Sequence, residues 1–579
     1  MSDIVTLNGY KIKDEKAVRS YESIAQMKAD TKLKEGYHVK TKGYYEVNDG
    51  GHGEYVIVDD DSLVDDGGLI HTLNNGLRAK LIIENDTVRV EQFGAYGDGT
   101  HDDTNAIEKA IKYTTKPHTV QFLAKTYAIT NISLNYEYGN VILKGVNSHY
   151  RHFNFDYATK IVPYEDMTGT MFTIGEEEVG FNSMVFGFTV KDICFTGNII
   201  DGYDYNCFEF GRSSNLLFEN VIFRRINGYS MKLKGVYDSI FNNVEFMSNG
   251  DYTSEDGEYS LIITGGLTEN NTTTSSNALR FDNCRWEGNA KDIKFDGNYN
   301  QLFFNGCKFE EQCSVSKVLI TVGGEINFTN CVFTSSGTDY LIAFNNTQNR
   351  TLTKFLNCTF TAPTSGLIGG KWINVIASNA NGIIIDGCSF DMPNFNGALN
   401  LGNYTKLFNS TFYSYSSDEI TKVIECEYYC DIENLTLIFA NNPKPVDGSV
   451  ILLNHTGNIV RNIISSNTGT IDYTCIVKAS SQDNILDSYS KRVESGSATI
   501  DARQSNVFSL AQDTTVTSIS NSWNGCEITL YANGSGVSVD FTNIQLLYNY
   551  ISSISIPAGR TITLRKINTT KWVLVASNT

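Results

Sequence analysis

The stretches INFTNCVF (residues 326–333) and TKFLNCTF (residues 353–360) are two copies of one eight-residue phrase, and this phrase decides the fold. Further copies are LLFENVIF (216–223), SIFNNVEF (239–246), LRFDNCRW (279–286), LFFNGCKF (302–309), IIIDGCSF (383–390), TKLFNSTF (405–412) and the worn CDIENLTL (430–437). The fifth residue of every copy is Asn or Gly, and successive fifth residues are 22 to 30 positions apart except for one step of 40. Less complete copies of the phrase centre on Asp192, Asn462 and Asn484. A period in the twenties indicates a structural unit that cannot bury its apolar face alone.

The pattern inside each copy indicates strands. Apolar residues alternate with polar ones on both sides of the fifth residue, which is the period of a strand and not of a helix. Asn and Gly tolerate left-handed backbone angles, so they allow two short strands to meet at a bend. A leucine-rich repeat would need an LxxLxLxxN phrase and a helical return, and neither is present. We therefore predict an all-β protein built on a right-handed parallel β-helix of about a dozen coils.

Two columns of side chains follow from the repeat. Cysteine occupies the sixth position of five successive copies, namely Cys284, Cys307, Cys331, Cys358 and Cys388. An aromatic residue closes eight copies: Phe223, Phe246, Trp286, Phe309, Phe333, Phe360, Phe390 and Phe412. Because coils stack at the strand spacing of ~4.8 Å, each set is predicted to form a buried column. A redox or metal column of thiols is the alternative, but free Cys is among the most buried residue types, which favours apolar filler.

Composition and charge exclude several classes of function. The 579 residues include 46 Lys and Arg against 65 Asp and Glu, for a net charge of −19, which disfavours a nucleic-acid partner. No apolar run is long enough for a membrane span, and the first residues lack the basic start and apolar core of a secretory signal. Twelve cysteines without a CxxC pair favour synthesis in a reducing compartment.

Histidine usage narrows the chemistry further. Residues 153–454 contain no histidine, which excludes a Ser-His-Asp triad, a Cys-His pair or a HExxH zinc site in the centre of the chain. Catalysis there would need carboxylates, Arg, Lys, Tyr or a bound metal. His149 and His152 lie three residues apart and could meet a metal, although histidines in a Tyr-rich loop are more often surface groups.

The stretch FGAYGDGTHDDTNAIEKAI (residues 93–111) precedes the coil. Its Gly-rich half predicts a turn, and Asp102 or Asp103 is placed to cap a helix that begins near Thr104. The apolar face of this helix would consist of Ile107, Ala110 and Ile111. Such a helix could cover the open end of the coil, which otherwise exposes unpaired strand edges. A metal site built from Asp98, Asp102 and Asp103 is the alternative interpretation.

This stretch closely resembles the opening motif of the pectate-lyase superfamily, as found in bacteriophage tailspikes and tail appendages. The preceding stretches GYYEVNDGGHGEYVIVDD (43–60) and NNGLRAKLI (74–82) resemble the head-proximal segment of phage tail proteins. The resemblance covers residues 20 to 115 motif by motif, and the rest only by its pattern. It implies a helix that acts as a lid, a homotrimer, attachment to a phage tail or baseplate protein, and a place in the virion after assembly in the host cytoplasm.

We divide the chain into three parts on this basis. Residues 1–90 are predicted to be a virion-anchoring segment, and residues 91–490 a parallel β-helix with a capping helix at 103–113. Residues 497–579 lose the coil phrase and read as alternating strands between Gly and Asn turns, which predicts a C-terminal β domain for trimerisation or glycan binding.

Candidate catalytic carboxylates come from register and from two interruptions of the coil. Glu287 and Glu310 each follow the aromatic column, so they are predicted to point outward on adjacent coils ~5 Å apart, which is close to the separation in retaining glycosidases. In such a pair one pKa rises, as a general acid requires. The inserted loop 249–277 and the stretch 201–209 supply further acids: Asp251, Glu255, Asp256 and Glu258, and Asp201, Asp204 and Glu209. The alternative is that these acids are solvated surface groups.

Other residues are candidates for binding substrate. Tyr252 and Tyr259 on the inserted loop combine a stacking face with a hydroxyl group, which suits sugars. Arg224 is a further candidate, and with Arg225 it would suit a lyase, because β-elimination on uronic acids uses a basic residue beside a metal-bound carboxylate. We expect no cofactor, except a divalent cation such as calcium in the lyase case. Glu245, Arg285 and Lys308 are interpreted as a charge ladder on the sheet face.

Three functions remain open from the sequence. The first is a tailspike that binds a host-surface polysaccharide (capsule, exopolysaccharide or teichoic acid) and hydrolyses it with paired carboxylates. The second is a tail adhesin that binds without cleavage, and the third is a polysaccharide lyase. We expect no membrane insertion in any of these cases.

Overall fold

The computed structural model describes most of the chain. The described residues are 5–7, 10–12, 18–148, 157–165, 167–176, 180–197, 205–250, 259–268, 270–310, 318–321, 324–334, 342–344, 352–361, 373–375, 382–392, 399–414, 423–439, 451–467, 477–479, 485–489, 492–495, 498–502, 507–520, 522, 526–546, 552–568 and 571–578. The chain divides into two compact units, residues 1–289 and 290–579, and each is described by itself.

The first unit begins with a small β-sheet. Its strands, in spatial order, are Arg19–Tyr21, His38–Thr41, Gly53–Val58, Arg78–Leu81 and Ile70–Thr72. Helix α1 (Ile24–Ala29) packs Ile24 and Met27 into the same core as Tyr55, which is fully buried. A separate two-stranded pair consists of Val5–Leu7 and Tyr10–Ile12. This sheet precedes the coil and has its own hydrophobic core.

The coil of the first unit contains two sheets of parallel strands. The strands of its first sheet are Thr87–Arg89, Asp98–Asp102, His118–Gln121, Thr126–Ile129, Val141–Lys144, Lys160–Pro163, Val185–Phe186, Thr189–Lys191, Cys194–Thr196, Ser213–Ser214, Leu217–Arg224, Val236–Met247, Ser276–Asp282 and Arg285–Glu287. Its second sheet consists of Ile132–Leu134, Gly169–Ile174, Tyr205–Phe210, Met231–Lys234 and Leu261–Thr264. The unit also contains a short hairpin (Gly266–Leu267 and Thr273–Thr274) and 3-10 turns at Val90–Phe93, Tyr136–Tyr138 and Phe181–Ser183.

The coil of the second unit follows the same plan. Strands of its first sheet are Tyr299–Asn305, Lys308–Glu310, Glu325–Thr329, Val332–Thr334, Leu352–Leu356, Thr359–Thr361, Ile384–Asp386, Ser389–Met392, Lys406–Phe408, Thr411–Ser414, Asp431–Phe439, Ile459–Asn467 and Ile485–Tyr489. Its second sheet consists of Ile293–Asp296, Val318–Ile320, Ile342–Phe344, Ile373–Val375, Leu399–Leu401, Ile424–Cys426, Ile451–Leu453 and Val477–Ala479. In both units successive coils pair in parallel, for example Phe218 with Phe241 and Phe333 with Phe360, which confirms the predicted parallel β-helix.

The Asn or Gly at the fifth position of the phrase forms the bend between two strands. All nine fifth-position residues have φ between 48° and 66°, the left-handed region in which a side chain with a Cβ is strained. The Asn side chains are also linked from coil to coil. In the first unit the Asn243 amide donates to Asn220 (2.8 Å), and in the second unit the Asn434 amide donates to Asn409 (3.1 Å). Asn therefore serves both as the bend and as a rung of a hydrogen-bonded ladder.

The predicted columns lie inside the coil. Phe309, Phe333 and Phe360 of the second unit stack with centroid distances of 4.6 and 4.9 Å. The thiols of Cys331 and Cys358 donate to carbonyl oxygens of the coil at 3.3 and 3.4 Å. Burial and the neighbouring thiol of Cys307 raise the pKa of Cys331 above its usual value, so these thiols stay protonated. The apolar-filler interpretation is supported, and Cys284 of the first unit is likewise buried.

Helix α2 (Thr104–Lys112) is the predicted capping helix, and its apolar face is buried as expected. Asp103 is the N-cap residue but forms no side-chain capping bond, whereas Asp102, one residue earlier, accepts a hydrogen bond from the Thr104 N–H at 2.9 Å. Asp103 instead turns back and accepts from the N–H groups of Tyr96 (2.6 Å) and Gly97 (3.1 Å). Among the described residues, no group of three or more His, Cys, Asp or Glu side chains is placed to hold a metal ion, so the alternative metal site at this motif gains no support.

The described residues of the C-terminal part form strands, and the first of these strands still pair in parallel. Its strands are Arg492–Ser495, Thr499–Asp501, Val507–Leu510, Thr515–Val516, Ser518–Ser520, Glu527–Ala532, Val537–Asp540, Gln545–Leu546, Ser553–Ile556, Thr561–Lys566 and Lys571–Asn578. Val507 pairs in parallel with Thr529 in the sheet that also contains the antiparallel final strands. Coil-like pairing therefore continues after the phrase has ended. The domain boundaries proposed above stay predictions.

Candidate functional site

A polar row runs across the outer face of the second sheet of the first unit. Strand Tyr205–Phe210 buries Cys207, Phe208 and Phe210, and the alternation of a strand turns Glu209 outward. In register, Ser133 lies beside Thr173, Thr173 beside Glu209, and Glu209 beside Lys232. Neighbouring members of this row, which we call the outer row, are therefore separated by about 4.8 Å, the spacing of paired strands.

Glu209 is the only carboxylate among these four residues, and it is held by two donors. The Lys234 ammonium lies 2.6 Å from one carboxylate oxygen, and the Tyr229 hydroxyl donates to the other. Partial burial alone would raise the pKa of Glu209, but these hydrogen bonds and the charges of Lys234 and Lys232 outweigh it and lower the pKa below its ordinary value. Glu209 is therefore ionised at neutral pH, so it is available as a nucleophile or a weak base and not as a proton donor.

The turn before strand Met231–Lys234 positions Tyr229. Its N–H donates to the side chain of Asn206 at 3.0 Å, and the Lys232 ammonium lies 5.4 Å above its ring. A Cβ on Gly228 would lie 2.0 Å from the Asn206 side-chain oxygen, so only glycine allows this close approach. The backbone of Tyr229 is thus held against strand Tyr205–Phe210, on which Glu209 lies.

A cleft of about 350 Å³ opens at the other end of the outer row. Its lining residues are Lys112, Ser133, Leu134, Asn135, Tyr138, Thr173, Gly175 and Glu176. Lys112 at the end of α2 pairs with Glu108 at 2.6 Å and lies 5.8 Å from the ring centre of Tyr138. Because Ser133 and Thr173 belong both to the cleft and to the outer row, the cleft leads directly to Glu209. Hydroxyl, amide, aromatic and charged groups together suit a polyhydroxylated chain.

Two stretches that contain predicted acids lead into strands of the second sheet. Asp201, Asp204, Asp251, Tyr252, Glu255, Asp256 and Glu258 lie outside the described residues, as do His149 and His152. The chain re-enters the described structure at Tyr205 and Tyr259, and the strands that follow lie on either side of strand Met231–Lys234. Tyr259 is buried, with 7% of its surface exposed. The catalytic and binding roles of these residues stay predictions.

The predicted pair Glu287 and Glu310 is divided between the two units. Glu287 ends a strand of the first unit, where the Arg285 guanidinium lies 2.7 Å from its carboxylate. Glu310 ends a strand of the second unit and pairs with Lys308 at 2.5 Å. Each carboxylate thus forms an ion pair with the cation two residues earlier in its own strand. Their use as an acid–base pair stays a prediction.

The other basic candidates lie on the first sheet. Arg224 lies in register between Thr196 and Met247, and Met247 lies beside Glu287. Arg225 follows with φ of 52°, and its carbonyl oxygen accepts from the hydroxyl of Tyr205 at 2.8 Å. The register of the proposed charge ladder is confirmed for its first step, where Glu245 pairs with the strand position of Arg285.

Sequence reasoning missed Tyr229, Lys232 and Lys234. The signal was the stretch YSMKLK (residues 229–234), in which the two lysines alternate with apolar residues and so share one face of a strand. To place them beside Glu209 one must know the register between two different strands, and the sequence does not reveal this register.

Comparisons with known proteins point to phage tails. Residues 20–84 match the family described as "Phage tail protein small four-stranded beta-sheet domain". A depolymerase of Klebsiella phage KN3-1, described as specific for capsule KN3, is 23% identical over an alignment of 337 positions that covers 52% of this chain and 39% of that protein. The chain therefore spans about two fifths of the curated relative that it matches. The match at residues 20–84 confirms the resemblance of the N-terminal segment to phage tail proteins.

Two solved structures of phage proteins show a distant likeness to this chain. The ORF18 protein of Geobacillus virus E2 has a TM-score of 0.44 and 18% identity, covering 69% of this chain and 73% of that one. The tailspike gp49 of Acinetobacter baumannii bacteriophage Fri1, a capsular polysaccharide depolymerase, has a TM-score of 0.40 and 13% identity, covering 82% and 76%. Within the described residues of this chain, no helix is long and apolar enough to cross a membrane.

Proposed function

We propose that the protein is a phage tail component that binds a host-surface polysaccharide and cleaves it by hydrolysis. The observation that supports this best is Glu209, an ionised carboxylate on the outer face of a rigid coil, between a polar cleft and the ends of two acid-bearing loops. The match of residues 20–84 supports attachment to the phage tail through the N-terminal segment. The depolymerase relative supports a capsular or similar polysaccharide as the ligand.

In this proposal Glu209 is the base or nucleophile. Glycoside hydrolysis needs a second carboxyl group that is protonated and that donates its proton to the leaving oxygen. Asp201, Asp204 and Asp251 are the candidates for this acid, because their loops end beside strand Tyr205–Phe210 or on the next strand but one. Lys232 and the cleft residues would hold the sugar chain along the outer row. Glu287 with Glu310 is the alternative pair, and no metal or cofactor takes part.

Product release tests the proposal. The purified protein is incubated with bacterial capsular polysaccharides, exopolysaccharides and teichoic acids, and mass spectrometry follows the oligosaccharides formed. We expect saturated products with new reducing ends. We expect Glu209→Gln to reduce their rate of formation about 100-fold to 10,000-fold, the range of general acid–base catalysis. Glu219→Gln is the matched control, because Glu219 also forms an outward ion pair, with Lys191 at 2.9 Å, but on the first sheet.

The same assay distinguishes the alternatives. Unsaturated products would indicate a lyase reaction instead of hydrolysis. Tyr229 or Arg224 would then be the candidate base, and the reaction would be tested for dependence on a divalent cation. Binding of a polysaccharide without release of any product would indicate a tail adhesin that does not cleave its ligand. Full activity of Glu209→Gln together with loss in Glu287→Gln or Glu310→Gln would move the site to the alternative pair. Sedimentation of the intact protein tests the proposed homotrimer separately.

A further inference from the structure

Three exposed tyrosines converge on one edge of the second unit. Tyr404, Tyr428 and Tyr429 expose 52%, 38% and 51% of their surface, although large aromatic residues elsewhere in the coil are mostly buried. They lie in the bends that join the second sheet to the first in successive coils. Tyr404 and Tyr429 stack at 5.1 Å, and Tyr428 stacks on His455 at 4.0 Å. We call these four residues the tyrosine patch.

Two of these tyrosines have a backbone conformation that destabilises the fold. Tyr404 and Tyr429 have φ of 55° and 57°, a left-handed conformation that bulky residues rarely adopt. The corresponding positions in the coils before and after them are Gly382 and Gly457, with φ of 93° and 79°. Strained positions of this kind are retained where the side chain has a function. The chain therefore places tyrosine where its own neighbouring coils use glycine.

Polar groups that are already oriented border the patch. The Glu427 carboxylate lies 2.9 Å from the His455 ring nitrogen, and the Asn454 amide donates to Glu425 at 2.9 Å. The side-chain oxygen of Asn403 accepts from the Tyr428 N–H at 3.2 Å. Carboxylates fixed in this way can accept further hydrogen bonds from sugar hydroxyls without a new loss of side-chain freedom.

We infer that the tyrosine patch is a second carbohydrate-binding site, distinct from the outer row, that takes neutral or N-acetylated sugar residues of a polysaccharide. Aromatic rings with a hydroxyl present both an apolar face and a polar tip to such a ligand. The two carboxylates at its border disfavour uronic acids and other anionic sugars, because like charges repel. The inference shares with the proposed function only the polysaccharide as ligand, and it requires no cleavage.

Substitution by asparagine tests the patch without disturbing the bend. Asn is the residue that other bends of this coil use at φ near 50°, so Tyr404→Asn and Tyr429→Asn should keep or raise the melting temperature. Binding is measured on a printed array of bacterial surface polysaccharides that includes neutral, amino-sugar and uronate polymers. We expect the double variant to bind the neutral or amino-sugar polymers about tenfold more weakly, which corresponds to about 1.4 kcal/mol. Tyr157→Asn is the control, since Tyr157 is 71% exposed and outside the patch.

The outcomes separate this inference from the proposed function. Glu219→Gln, on the first sheet and outside both sites, should bind the array as the wild type does. A wild type that binds the array but releases no product would refute cleavage, and the tyrosine variants would still test the patch. Unchanged binding by the double variant would overturn the patch. So would a wild type that binds no polymer on the array, a preference for uronate polymers, or a change in oligomeric state in the double variant, which would make the patch a subunit contact.

Discussion

The pH dependence of stability should reveal the buried carboxyl group of Asp103. This residue is 1% exposed, and its carboxylate accepts from the N–H groups of Tyr96 and Gly97. Burial raises its pKa from 3.8 to about 6 in spite of these hydrogen bonds, and the charge of Asp98 adds to the rise. Below pH 3.8 the side chain is protonated in both the folded and the unfolded state. As the pH rises towards 6, the unfolded chain has already released its proton and the folded chain has not, so stability falls.

The size of this effect follows from the pKa shift. A shift from 3.8 to about 6, at ~1.36 kcal/mol per unit, corresponds to about 3 kcal/mol in total, lost as the pH rises from below the lower to above the higher of these two values. Asp103→Asn removes the titration, while its amide resembles the protonated carboxyl group in shape. The free energy of unfolding of the variant relative to the wild type should therefore increase by about 3 kcal/mol between pH 3 and pH 8.

Urea denaturation of both proteins, followed by tryptophan fluorescence at several pH values, measures this difference in the free energy of unfolding. The contributions of the other titrating groups are the same in the two proteins and cancel in the difference. Asp98→Asn is the control of opposite sign. Although slight burial acts to raise it, the pKa of Asp98 is lowered by the N–H groups of Thr100 and His101 and by the His101 side chain, so the contribution of Asp98 is lost as the pH falls. A difference between Asp103→Asn and wild type that stays constant from pH 3 to pH 8 would refute the reasoning.

Two further predictions concern the outer row and the bends. Burial alone would raise the pKa of Glu209, and the Lys234 ammonium is a main group that lowers it, so Lys234→Met should move the acid limb of the pH–activity profile to higher pH. Lys191→Met, which removes the partner of Glu219, should leave the profile unchanged, and equal profiles for both variants would contradict the role of Lys234. Asn434 donates to Asn409 and accepts from Asn462 at φ of 57°, so Asn434→Ala should destabilise the coil by about 2–4 kcal/mol. Asn434→Gly keeps the favourable backbone and should cost about half as much, as thermal unfolding can show; equal losses would mean that backbone strain is not part of the effect.

The bends and the inner columns could be predicted because they depend on local chemistry repeated at a fixed period. Asn220, Asn330 and Asn409 differ in sequence context, yet each has a left-handed backbone because the same short phrase surrounds it. The stacked rings of Phe333 and Phe360 follow from the same period. Helix α2 was also predictable, since its cap and its apolar face lie within a dozen residues of one another.

The candidate site was predicted only in part. Glu209 appeared among several acids, but nothing in its own stretch distinguishes it from Asp201 or Glu287. Its partners Tyr229, Lys232 and Lys234 belong to the following coil, and no copy of the phrase marks the strands whose register brings them beside Glu209. The continued parallel pairing of Val507 with Thr529 was missed for a related reason, because the phrase that signals a coil is absent there.

The sequence alone determined where the chain bends and which side chains face the interior, because both depend on backbone preferences and on alternation within eight residues. Tertiary structure decided which outward side chains meet, because a shift of one residue in the register of a coil replaces every neighbour on the sheet face. Glu209 next to Lys232, and Tyr404 against Tyr429, are neighbours of this second kind. Their proximity is set by the packing of whole coils and not by the residues themselves.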